Sequence, residues 1–108
     1  MDPAKVARLI EILQSVRQRA HMYVGENDPV LMTHFLNGLN IAAATLMGQD
    51  VQSVVWNVVR ERGWSNGAKS LCHIMLERGI PPDQVIEEMV TVEIEAFQRL
   101  AQKLSEPR

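Results

Sequence analysis

The chain has 108 residues, of which 46% are hydrophobic and 22% charged, and its formal net charge is −2. That length suits one domain rather than two, and the apolar content excludes a chain disordered over most of its length. The negative balance excludes wholesale neutralisation of nucleic-acid phosphates, and a single cysteine, Cys72, excludes an intrachain disulfide.

In chain order, Val6, Leu9, Ile10, Leu13 and Val16 recur at three- and four-residue steps and form one apolar stripe of a helix. Asp2 reads as its N-cap, with Pro3 in the first turn, so a first helix is expected over about residues 3–19. Residues 23–28 read as a turn. Asp28 then caps a second helix with Pro29 in its first turn, and Leu31, Phe35, Gly38, Leu39, Ala42 and Leu46 are its expected buried stripe. A glycine inside a helix costs about 1 kcal/mol against alanine, so Gly38 is expected where another helix packs closely. Gly48 is the expected stop.

Val51, Val54, Val55, Val58 and Val59 favour strand one residue at a time. Their spacing is nevertheless helical, because strand alternation fails at both adjacent valine pairs. With Asp50 as cap and Gly63 as stop, a third helix is expected over residues 51–62. Ser65 or Asn66 is the expected cap of a fourth, which carries Ala68, Leu71, Cys72 and Met75 and ends at Gly79. Pro81-Pro82-Asp83 opens a fifth, with Val85, Met89, Val92, Ala96, Leu100 and Leu104 as its stripe and Phe97 alongside. At about 22 residues it would span roughly 33 Å. Residues 105–108 read as a frayed tail. The expected fold is all-α: one domain over 1–108, a single small bundle of about five helices, with helices 1, 2 and 5 as the main layer. The N-terminus has no apolar signal region, and no apolar run is expected to reach the ~20 residues of a membrane span. A soluble, cytoplasmic protein is therefore expected.

The run Val16-Arg17-Gln18-Arg19-Ala20-His21-Met22-Tyr23-Val24-Gly25 resembles the "VRKRPGMYIG" entry segment of gyrase B type ATPase domains. In that family the following helix carries a water-activating glutamate and a magnesium-holding asparagine. Counted from Gly25, those places fall on Gly38 and Ala42, which offer neither a base nor a metal ligand. The family's phosphate loops and its sheet are missing too, so ATP hydrolysis is not expected. A closer resemblance is to small bacterial proteins of unassigned function. They carry "RPxMYxG", a helix with "FLxGY", Trp-bearing helical segments and a C-terminal "EEAF". Matching pieces here are Arg19 to Gly25, Phe35-Leu36-Asn37-Gly38-Leu39, Trp56, Trp64 and Glu95-Ala96-Phe97. The match departs at Ala20-His21 and at Leu39 and Asn40. It implies a bacterial helical protein and no particular reaction.

Read as structure, the motif is a helix stop with a packing anchor. Arg17 and Arg19 oppose the helix dipole, Gly25 supplies a positive φ, and Tyr23 buries its ring. Read as function, Arg17, Arg19, His21 and Tyr23 form an anion or partner site. His21, His34, His73 and Cys72 lack the paired short spacings of a zinc site, so no metal and no cofactor are expected. Cys72 and His73 point about 100° apart, which suits neither a metal nor a nucleophile with its base. Cys72 reads as a buried hydrophobe. Glu87-Glu88, Glu93 with Glu95, and Arg60-Glu61-Arg62 read as solvated faces. Trp56 lies opposite the valine stripe and reads equally as core or as partner contact. Trp64 reads as a lid on the core. Met22, Met47 and Met75 fit adaptable surfaces.

The expected function is a non-enzymatic protein-interaction domain with an accessory, inhibitor or immunity-like role. It binds another protein or itself, and a homodimer would form through Trp56 or helix 5. The alternative is a regulator of helix-turn-helix type around Arg62-Gly63-Trp64-Ser65. Its fourth helix would reach nucleic acid only with Lys69, His73 and Arg78, so nucleic acid is not the favoured partner.

Overall fold

The computed structural model describes residues 3–20, 28–64 and 70–105. Five helices run through them: α1 Pro3–Gln18, α2 Pro29–Met47, α3 Val51–Glu61, α4 Leu71–Glu77 and α5 Pro82–Ser105. The described residues contain no strand. The three-to-four-residue spacing thus yields the all-α bundle that it predicts.

Local chemistry sets the helix ends. The Val30 backbone N–H donates to the Asp28 side chain at 2.9 Å, and the Ser53 N–H donates to Asp50 at 3.1 Å. Each such cap contributes about 1 kcal/mol. At the end of α3, Gly63 takes φ 82°, a value that glycine adopts without steric cost. The Gly63 N–H then reaches the Arg60 carbonyl, and the Trp64 N–H the Val59 carbonyl, both at 3.0 Å. This pair of bonds satisfies carbonyls that the helix end leaves open. Between its ends, α3 buries Val51, Val55, Val58 and Val59 on one side. Tertiary packing of that stripe overrides the strand preference of valine.

Two expected elements need correction. The cap of α4 is Ser70, whose hydroxyl accepts from the His73 N–H at 3.2 Å. Ser65, Asn66 and Ala68 lie outside the described residues, as do the Asp2 cap, the 23–28 turn up to Asn27, and residues 106–108. Ser105, expected in the tail, still belongs to α5.

The layer of helices 1, 2 and 5 gives way to a hub. α5 packs against α1, α2, α3 and α4 alike. Val85, Met89, Val92, Ala96 and Leu100 are buried, and so are Ile86, Val90, Ile94 and Phe97. Two apolar stripes therefore share one helix, and the sequence reading followed only the first. From α1, Val6, Leu13 and Val16 enter the core fully buried.

The buried face of α2 is turned by about one residue, roughly 100°, from the expected one. Pro29, Met32, Leu36, Asn40 and Ala43 point inward. Leu31 and Leu46, expected inside, are 39% and 85% exposed, and Gly38 and Ala42 are exposed as well. Apolar residues surround most of this helix, so its periodicity has little contrast to fix a phase. A Cβ built on Gly38 meets nothing within 4 Å, so no helix among the described residues accounts for that glycine.

Candidate interaction surface

α2 has no Asp, Glu, Lys or Arg along its 19 residues. Val30, Leu31, Ile41 and Leu46 are 51%, 39%, 70% and 85% exposed. At 100° per residue, His34, Asn37, Gly38, Ala42 and Thr45 stand among them on the solvent side. The result is a long uncharged surface, apolar at both ends and smooth in the middle. By length and composition α2 can also cross a bilayer, which corrects the expectation that no run qualifies.

Behind this surface lies a polar contact inside the core. Asn40 Nδ2 donates to Glu93 Oε1 at 2.9 Å. The residues are 3% and 4% exposed, so the expectation of a solvated Glu93 is overturned. Glu93 follows Val92 and precedes Ile94 on a helix buried almost all round, and no face was left to hold it outside. Burial pushes its carboxyl up from 4.5 to about 7, against the opposing hydrogen bond from Asn40. Asn40 Oδ1 and Glu93 Oε2 have no hydrogen-bond partner among the described residues. Beside the pair, α2, α3, α4 and α5 line a half-open pocket of about 190 Å³, with Leu36, Trp56, Cys72, Met89, Val92 and Glu93 among its walls.

A second polar cluster ties α3 to α5. Arg62 donates to Glu88 through Nε at 2.8 Å and Nη2 at 2.5 Å, and Trp64 Nε1 donates to the same carboxylate at 2.7 Å. Burial alone would push Glu88 up. The hydrogen bonds from Arg62 and Trp64, with the Arg62 charge, outweigh it and hold the carboxyl below its ordinary value. Arg78 stacks over the Trp64 ring at 4.9 Å. Arg99 pairs with Glu61 and Glu95. Glu88, Glu61 and Arg62 were expected as solvated charges. They are exposed or half-buried, but they join two helices.

Of the sequence-predicted site residues, Arg17 is exposed and its Nη1 donates to Thr91 Oγ1 on α5 at 3.4 Å. Arg19 is exposed, with its backbone N–H on the Ser15 carbonyl. Trp56 is half-buried against the core and forms part of the cavity wall. No described hydrogen bond joins it to either arginine. His21 and Tyr23 lie outside the described residues, and so does Met22. Trp64 packs against the core as expected. Met47 is half-buried and Met75 fully buried, so Met75 offers no surface. Cys72 is buried, and burial raises its thiol above the ordinary value. His34 is exposed, and His73 pairs with Glu77 at 3.0 Å.

The sequence reading missed Ile41 as a surface residue and Asn40 as a buried one. The lone asparagine among apolar neighbours at the α2 stripe was the available signal, because a buried amide requires a partner. No family model, no curated protein and no solved structure matches the chain.

Proposed function

We propose that the chain is a small cytoplasmic, non-enzymatic protein-interaction domain that docks through the solvent side of α2. The carrying observation is that uncharged face, with Ile41 and Leu46 largely exposed. Their exposure, with that of Val30 and Leu31, amounts to roughly 400 Å² of apolar surface, in the range where a patch on a soluble monomer is often functional. Trp56 flanks the face, sharing the cavity with Asn37 and Thr33 of α2, and supplies an aromatic edge of the kind favoured at interfaces.

The other groups support a binding role over a chemical one. A nucleophilic thiol needs a lowered pKa, whereas burial raises that of Cys72. Glu88 is held by Arg62 and Trp64, and His73 by Glu77. The nucleic-acid alternative has less behind it. α4 has seven residues, Arg78 lies over Trp64, and Arg62 is paired with Glu88.

The test is the double substitution Ile41→Asp with Leu46→Asp. It puts charge on the face without touching the core. The expected result is loss of every specific protein association of the wild type, with the fold retained by circular dichroism. Associations that survive it unchanged would remove the reading.

A further inference from the structure

We infer that the partner for which the α2 face is shaped is a second copy of this chain, docked antiparallel across a two-fold axis at Gly38. This inference rests on the interaction reading and specifies its partner.

Three observations converge. The face carries no formal charge, so bringing it against itself juxtaposes no like charges, the usual obstacle to an isologous contact. Gly38 stands exposed, its Cβ position meets nothing within 4 Å, and its φ is not positive. Neither intramolecular packing nor backbone geometry therefore asks for glycine, although it weakens the helix relative to alanine. Close approach of another backbone does ask for it. Gly38 also has nine residues of α2 on either side, and it lies opposite the buried line through Pro29, Leu36 and Asn40.

That position makes the face self-complementary. In a two-fold antiparallel crossing, residues equally spaced from Gly38 meet. Leu46 of one copy comes level with Val30 of the other, eight positions out on each side, and the two flank the contact from opposite edges. Leu31 meets Thr45, His34 meets Ala42, and Ile41 meets the edge of Phe35. The exposed side chains Leu46 at 85% and Val30 at 51% thus stand at the two edges of the contact.

The helix is about 28 Å long and its outer half would bury about 500 Å² per copy. The total, roughly 1,000 Å², is near the least that a specific interface needs. An interface of that size predicts a concentration-dependent, reversible dimer and not an obligate assembly.

Sedimentation velocity on the full chain, from a few micromolar to about 300 µM, reads this directly. The weight-average mass should rise from the 12.2 kDa monomer toward twice that value. Gly38→Gln should abolish the rise while leaving the melting temperature equal or higher, since the new side chain enters open space within the monomer. Gly38→Cys should cross-link through the dyad on mild oxidation, several-fold faster than the exposed control Gln98→Cys, because native Cys72 is buried. A wild type that stays monomeric throughout, or a dimer untouched by Gly38→Gln, would overturn the inference. A monomer that binds a different protein in an Ile41- and Leu46-dependent way overturns the self-docking and leaves the interaction reading standing. Binding of a monomer to phosphatidylcholine–phosphatidylglycerol vesicles through these residues overturns both.

Discussion

The two long helices divide the labour against their composition. α5 carries seven charged side chains, among them Glu88, Glu93 and Arg99, and lies at the centre of the bundle. α2 carries none and turns about half its circumference to solvent. Average polarity therefore does not decide which helix is core. α5 sits inside because two apolar stripes let it meet four partners, while its charges reach outward to Arg62 and Glu61 or, for Glu93, are enclosed with Asn40. α2 needs only one stripe and its shoulders for the bundle, and Val30, Leu31, Ile41 and Leu46 remain exposed among the described residues. That exposed apolar surplus is the observation on which the proposed docking face rests.

Truncation at equivalent chemistry should separate the two helices most sharply. Phe97→Ala in α5 removes a fully buried ring and should cost about 3–5 kcal/mol, read as a large fall in the denaturant midpoint. Leu46→Ala in α2 should change monomer stability by less than about 0.5 kcal/mol. Comparable losses at both sites would break the contrast.

Glu93→Gln sharpens it through pH. The folded carboxyl titrates at about 7 against an ordinary 4.5, so between those values the folded chain holds a proton that the unfolded chain has released. Stability then falls as pH rises through this window, by up to about 3 kcal/mol, and is lowest above it. Glutamine keeps the acceptor for Asn40 and removes the charge. The variant should gain about 1–3 kcal/mol over wild type at pH 8 and nothing near pH 4; an equal gain at both would sink the account of the buried pair.

Glu88→Ala removes the shared acceptor of Arg62 and Trp64 at the α3–α5 seam. A loss of about 1.5–3 kcal/mol is expected by urea unfolding. A small effect of the opposite sign belongs to α2 again. Gly38→Ala should stabilise the monomer by about 0.5–1 kcal/mol through helix propensity alone, measured below the dimerisation range. Destabilisation there would reveal a neighbour that the structure does not place.

The elements were legible because their punctuation is local: Asp28, Asp50, Gly48 and Gly63 act within a few residues of themselves. The phase of α2 was not legible, since Leu31, Phe35, Leu39 and Leu46 compete with Met32 and Leu36 for the same inward role. Tertiary contact with α3, α4 and α5 settles it. Glu93 was misplaced for a related reason. Its partner is Asn40, fifty-three positions away, and no local pattern announces a buried pair at that separation. Of the candidate residues, Trp56, readable from the wheel equally as core or as partner contact, is half-buried and packs against the core. Gly38, expected where another helix packs closely, is instead exposed, and a Cβ built on it meets nothing within 4 Å.

The most direct test of the docking face is amide chemical-shift mapping during dilution from about 1 mM to 20 µM. Concentration-dependent shifts should concentrate on the solvent side of α2, at Val30, His34, Gly38, Ile41 and Thr45, with α1 unmoved. Shifts absent over that range, or gathered on α1, would contradict the account.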